Sequence, residues 1–276
     1  MHTRRPGRRR PLVAVTVSAV ALAATSAFPA AASPQRFVYD ALGDSFAAGS
    51  GAAAVQDACG RNDLAYPHVL DGRMRIALDD FAACGGATIP SMLATQLTAL
   101  GPDTDLVTVS IGGNDIGWAT VVVDCLLGTE DQCAQSVAAT SDVIVNELPA
   151  DLDLAYTQIG EAAPDAHVVV TGYPRLFSPE YGDFAPVPSA PVLISAAEQE
   201  VLNDGADLLN SVIADVAADH GFQFVDVTSR FTGHGVNADD PWLTGLDQDV
   251  PLHPTAEGQH AYGVALRSQV NPNSLR

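Results

Sequence analysis

Apolar positions along the chain recur with two periods, and their alternation lays out the elements in order. Phe37, Val38, Tyr39 and Leu42 fall in a run over residues 36–43 that suits a buried strand. Residues 47–63 are small, Gly-rich and polar, which predicts a loop. Tyr66, Val69 and Leu70 share one face of a short helix over 64–73, and residues 75–82 carry a weaker strand. Pro90 to Leu100 reads as a helix, with Pro at its start and Gly101-Pro102 past its end. Leu106 to Ile111 is the clearest strand in the chain. Residues 116–160 are mostly helical, interrupted over Cys125–Cys133 and broken or kinked at Pro149. Ala166 to Thr171 is short and nearly all apolar, as in parallel sheets buried on both faces. A Pro-rich stretch runs from Gly172 to Val192. Ser195-Ala196-Ala197-Glu198 has the capping-box pattern and opens a helix to about His220. Phe222 to Val227 is the last strand, residues 229–252 are irregular, and a final helix follows His253-Pro254-Thr255. Strands alternating with helices predict one α/β domain, with a parallel sheet covered on both faces.

The N-terminus departs from this pattern. Arg4, Arg5, Arg8, Arg9 and Arg10 precede an uncharged run from Leu12 to Ala24, and Ala30-Ala31-Ala32 offers a small-residue cleavage site. These are the parts of a secretory signal peptide, predicted over residues 1–32, with the mature domain at 33–276. Arg9-Arg10-Pro11-Leu12-Val13 leaves both Sec and twin-arginine export open. The apolar run is short for a membrane span, so no stable membrane insertion is expected. The formal charge is −20, and losing the leader's five arginines would take it to about −25. So acidic a chain is repelled by nucleic acid and by anionic membrane surfaces. In an exported chain Cys59, Cys84, Cys125 and Cys133 imply two disulfides. The pairing Cys59–Cys84 and Cys125–Cys133 closes two modest loops. No Cys-x-x-Cys spacing supports zinc, and no metal or cofactor is expected. Nothing points to an oligomer, so a monomer is expected.

Chemistry gathers in the turns. Gly43-Asp44-Ser45 ends the first strand, Gly85-Gly86-Ala87-Thr88 follows the second, and Gly112-Gly113-Asn114-Asp115 ends the third. In a parallel sheet these turns open on one edge. His253 starts the last helix. Acyl transfer needs a nucleophile, a base and donors aimed at a developing oxyanion. Ser45 fits the first, and a neutral His253 the second. The N–H groups of Ser45 and Gly86 and the amide of Asn114 fit the third.

These four blocks, in this order, resemble those of the SGNH (GDSL) hydrolase superfamily. The cysteine positions and Gly172-Tyr173-Pro174-Arg175-Leu176-Phe177 are similar to its secreted bacterial lipase/esterase branch. The resemblance implies a flavodoxin-like three-layer α/β/α sandwich. It implies hydrolysis of a small-molecule or lipid carboxylic ester, with Ser45 as nucleophile, Gly86 and Asn114 as oxyanion donors and His253 as base. One departure stands out. Many members carry Asp three residues before the His, where this chain has Val250. Either the Val250 carbonyl accepts the His253 Nδ1 proton, giving a dyad, or the loop bends so that Asp249 does; Asp247 is also near. A carbonyl can set the tautomer, with less stabilisation of the imidazolium.

Other readings of the same residues remain. Asp44 reads as a structural turn residue, and Asn114 or Asp115 could simply cap the next helix. His68, His167, His220, His234 and His260 lack a matching context. Trp242 either lines the acyl site or only packs. The loops at 172–194 and 229–252 are expected to set acyl length. A carbohydrate O-deacetylase is the alternative enzyme, and a secreted binding protein the alternative outside catalysis. No Gly-x-Ser-x-Gly elbow and no Gly-x-x-x-x-Gly-Lys loop occur, which argues against an α/β-hydrolase and against phosphoryl transfer.

Overall fold

The structure, a computed structural model, describes residues 36–54, 56–186 and 192–275, together with His2. The leader and domain boundary predicted at residues 1–33 lie, His2 apart, outside the described residues.

Five parallel strands form one sheet: β1 (Phe37–Gly43), β2 (Ile76–Phe81), β3 (Leu106–Ser110), β4 (His167–Thr171) and β5 (Gln223–Val225). Their order is β2-β1-β3-β4-β5. All of β3 is buried, as is all of β4 after His167, because helices cover the sheet on both sides. Tyr39 and Thr108, two of the polar side chains buried in this core, bond each other at 2.7 Å. The helices are α1 (Ser45–Ala48), α2 (Tyr66–Leu70), α3 (Ile89–Thr95), α4 (Trp118–Leu127), α5 (Glu130–Asn146), α6 (Leu148–Ala162), α7 (Ala196–Asp219), α8 (Thr228–Phe231) and α9 (Ala256–Gln269). Helix α2 packs on α9, which also meets α8, while α3 meets α6, and α5 packs on α4 and α7. Right-handed crossovers put these two groups on opposite faces. The three-layer α/β/α architecture and the predicted strand order of events along the chain therefore hold.

Local detail departs from the pattern in three places and sharpens it in the helical block over 116–160, which breaks where expected. Ser45–Ala48 is a helical turn rather than loop, because the Asp44 carboxylate caps it, accepting the Phe46 N–H at 2.9 Å. The helix predicted over 64–73 stops at Leu70, where Asp71 turns extended. The block over 116–160 is three helices; Thr129 and Gln132 form a capping box that starts α5, and Pro149 sits in the first turn of α6. Helix α8 breaks the irregular stretch after Asp226, whose carboxylate accepts the Thr228 N–H at 2.8 Å.

Register brings the turns together. Gly43 at the end of β1 pairs with Ser110 at the end of β3. Gly43 has φ +128, and a Cβ there would collide with the Ser110 carbonyl. A glycine is therefore required for the chain to leave the sheet at this point. The disulfides join Cys59 to Cys84 and Cys125 to Cys133. The first fastens the loop after α1 to the turn after β2, where Gly85 also donates to the Cys59 carbonyl at 2.7 Å. The second ties the end of α4 to the start of α5.

Candidate active site

Ser45 is the first residue of α1, directly past the end of β1, and His253 lies just before α9. Their side chains meet: Ser45 Oγ is 2.7 Å from His253 Nε2. His253 Nδ1 is 2.7 Å from the carbonyl oxygen of Pro251. That oxygen can only accept, so Nδ1 carries the proton and Nε2 presents its lone pair to the serine hydroxyl. Burial pushes the His253 pKa down, against a smaller upward pull from the Pro251 bond, which keeps the ring neutral.

The group that orients His253 is thus neither of the two read from the sequence. Leu252 adopts φ +60, and this kink turns the Pro251 carbonyl back onto the ring. The Val250 carbonyl accepts from Thr244 Oγ1 at 2.6 Å instead. Asp249 is exposed. Thr244 holds the whole bend: its Oγ1 also accepts the His253 N–H at 3.0 Å, its N–H donates to the His253 carbonyl at 2.8 Å, and its carbonyl takes the Leu252 N–H at 2.9 Å.

The three glycine-rich turns are laced to one another. Cys84 N–H donates to the Gly43 carbonyl at 3.0 Å, joining the second turn to the first. Asn114 Nδ2 donates to the Ala87 carbonyl at 2.9 Å, joining the third to the second. The Asp115 carboxylate accepts the Ile89 N–H at 2.9 Å, so it caps α3 and not the helix that follows it. Gly86 has φ +74 and is exposed at the edge of this cluster. Ser45, at the start of a helix, keeps an N–H with no intrahelical partner.

Buried amide side chains pin these turns, and the sequence pattern shows no sign of them. Gln96 accepts from Gly43 N–H at 2.8 Å and donates to the Gly43 carbonyl at 2.9 Å. Gln259 donates to the Phe46 carbonyl and accepts from Tyr66 N–H, both at 2.9 Å. Asn210 grips both backbone groups of Tyr173 at 2.8 Å. A buried backbone group left unpaired costs about 1–3 kcal/mol, so each clamp holds its turn firmly. Asp44 is buried as well. It accepts from Phe46 N–H, from Ser110 Oγ at 3.3 Å and from Tyr173 Oη at 2.5 Å. Burial lifts its pKa to about 6, and those three donors hold it from rising further.

An apolar pocket, with about 690 Å3 of free space counting the solvent at its open mouth, lies beside Ser45 and His253. Phe46 and Trp118 line it, and their rings lie 5.0 Å and 6.0 Å from that of His253. Val122 of α4, Ile144 of α5 and Leu202, Gly205, Ala206 and Leu209 of α7 form its walls. Among the described residues of the loop at 172–194, Tyr173, Pro174 and Leu176 reach it, and no described residue of 229–252 does. Trp242 stacks on His234 at 3.7 Å and packs edge-on against Phe231, so its role is packing. The sequence reading passed over Trp118, which lies within an unremarkable helical pattern. Among the described residues the carboxylates close enough to share an ion are Asp40, Asp79 and Asp80. They stand on β1 and β2, with Asp40 already accepting from Thr104 at 2.6 Å.

The chain is similar to known proteins over most of its length. Residues 41–261 match the model of the GDSL-like lipase/acylhydrolase family. Lipase 1 of Streptomyces coelicolor is 36% identical over 255 residues, spanning 88% of this chain and 92% of that protein. The crystal structure of phospholipase A1 from Streptomyces albidoflavus NA297 superposes with a TM-score of 0.78 at 37% identity, covering 85% of this chain and all of that one. That of the extracellular lipase from Streptomyces rimosus gives a TM-score of 0.77 at 37% identity, with 85% of this chain covered and 100% of the other. By its sequence, its fold and its four blocks, the chain belongs to the GDSL-like lipase/acylhydrolase family.

Proposed function

We propose that this carboxylic ester hydrolase works through an acyl-enzyme on Ser45, with His253 as general base and a lipid-like acyl chain in the apolar pocket. The 2.7 Å contact between Ser45 Oγ and His253 Nε2, with Nδ1 held by a carbonyl, carries the reading. Ser45 Oγ attacks the ester carbonyl carbon as Nε2 takes its proton. The N–H groups of Ser45 and Gly86 and the second N–H of the Asn114 amide receive the oxyanion. The amide's first N–H is committed to Ala87, which orients it. Collapse of the intermediate expels the alcohol, protonated by His253. Water, deprotonated by the same ring, then releases the carboxylic acid and restores Ser45. A neutral carbonyl behind His253 fixes the tautomer but stabilises the imidazolium less than a carboxylate would.

The pocket favours a lipase or esterase over an O-deacetylase. An acetyl group would touch little of the apolar lining that α4, α5 and α7 supply, whereas each further methylene buried against it contributes up to about 0.8 kcal/mol, roughly fourfold in binding. Export as a secreted enzyme is supported by the arginine-led N-terminal pattern and the two disulfides.

The test is hydrolysis of a p-nitrophenyl ester series from acetate to palmitate by wild type and by Ser45→Ala. Rates should be highest on acyl chains longer than acetyl, and Ser45→Ala should lose roughly 10⁴-fold or more in kcat. Wild type inert on every ester would leave a binding protein. An active Ser45→Ala would remove the nucleophile from Ser45.

A further inference from the structure

Asp44 and Tyr173 are buried beside the dyad but take no step in the reaction above. Tyr173 Oη donates to Asp44 Oδ2 at 2.5 Å and accepts the Gly113 N–H at 3.1 Å. The direction of both bonds is settled by chemistry, since an amide N–H can only donate and an ionised carboxylate can only accept. One hydroxyl thus joins the residue before Ser45 to the residue before Asn114.

The third turn needs such a tie. Gly112 has φ +111, and two successive glycines leave the backbone little intrinsic preference. Tyr173 fits against the second of them closely: a Cβ on Gly113 would lie 3.2 Å from the phenol ring carbon and oxygen. Tyr173 is itself immobile. Asn210 grips both its backbone groups, and its ring stands edge-on to Phe46 at 5.1 Å. Phe46 in turn lies against His253.

We propose that Tyr173 is a positioning residue for acyl transfer: its hydroxyl, bridging Asp44 and the Gly113 N–H, sets the spacing between Ser45 and the Asn114 amide. The proposal rests on the reading of Ser45 as nucleophile. Its energetic logic is geometric. An oxyanion donor acts only over a narrow range of distance, and a displacement of about 1 Å can cost 10²-fold. Removing the hydroxyl leaves Asp44 and Gly113 each short of a partner, and the flexible turn relaxes away from Ser45.

A double-mutant cycle of Tyr173→Phe with Asn114→Ala on one good ester substrate tests this. Tyr173→Phe should lower kcat by roughly 10- to 100-fold while KM stays within about threefold. In the Asn114→Ala background the same change should cost less than about threefold, because the group it positions is gone. Multiplying costs in the double mutant, or an unchanged kcat in Tyr173→Phe, would overturn the role. Circular dichroism establishes that each variant is folded. Should Tyr173→Phe not fold, Asp44→Asn probes the tie from its other end. A carboxamide must turn its NH2 toward either the Tyr173 hydroxyl or the Phe46 N–H, and the same non-additivity with Asn114→Ala is expected. Ser45→Ala separates the two ideas. If it is inactive and the cycle is additive, only the positioning role falls; if it is active, both fall.

Discussion

His253 shows how much one residue's environment adds to its identity. Its place before the last helix is plain in the chain, but the acceptor on its Nδ1 is the Pro251 carbonyl, aimed by the φ +60 bend at Leu252. No spacing rule reveals that bend. It depends on Thr244, nine residues upstream, whose hydroxyl and backbone bond four groups of the segment 250–253. Asp249 is exposed and outside the dyad, so Asp249→Ala should retain kcat/KM within about threefold of wild type. A loss of several thousand-fold in a folded protein would show that a carboxylate, not a carbonyl, completes the site. Ser45, Gly86 and Asn114 stood out as candidates because they sit in glycine-rich turns after strands, and His253 because it precedes the last helix. Gln96, Gln259, Asn210 and Tyr173 were not, because each matters only through a partner dozens of residues away; Asp44 was legible as a turn residue through its local cap on Phe46, but not as the partner of Tyr173.

Helices α4, α5 and α7 supply the pocket that the two long loops were expected to form. Their apolar positions read as ordinary core stripes, and a stripe has the same period whether it meets another helix or a cavity. Gly205 distinguishes the two cases. It lies in the interior of α7, where glycine weakens a helix by about 1 kcal/mol relative to alanine. A Cβ built there meets nothing within 4 Å, so a side chain at 205 would grow into the pocket. Gly205→Leu should therefore shift preference toward shorter acyl chains, lowering kcat/KM on palmitate by about tenfold or more relative to butyrate. An unchanged chain-length profile would place the acyl chain elsewhere. The variant should lose nothing in stability, since leucine is the better helix former.

Charge acts on the chain as one body. It has 33 acidic residues against 13 basic ones, so most acids have no arginine to pair with; Arg61–Asp57 and Arg175–Asp207 are two of the ion pairs that form. Both are largely exposed and contribute little. The compact state therefore carries like-charge repulsion that salt should screen. Raising NaCl from low concentration to about 0.5 M should raise the thermal midpoint by at least about 2 °C, the equivalent of roughly 1 kcal/mol for a domain of this size. A midpoint that falls or stays level would mean that attraction between the paired charges outweighs repulsion.

The chain order of hydrophobic runs carried the parallel sheet, the layered architecture and the edge on which the turns open. These follow from local periodicity and from handed crossovers, which any stretch of chain expresses without knowing its distant neighbours. The pairing of cysteines and the candidates Ser45 and His253, whose side chains meet at 2.7 Å, were equally near the surface of the sequence. Tertiary structure alone decided which carbonyl faces His253, which amides clamp the turns, which helices leave a pocket and how Tyr173 bridges Asp44 to Gly113. The Pro251 carbonyl is only two residues from His253, but its aim depends on side-chain bonds from Thr244; the clamps, the pocket and the Tyr173 bridge are contacts between segments far apart in sequence. The Gly43-Asp44-Ser45 turn belongs to both accounts: its letters mark Ser45 as the proposed nucleophile, and Ser110, Gln96, Tyr173 and His253 bond to the turn and fix it.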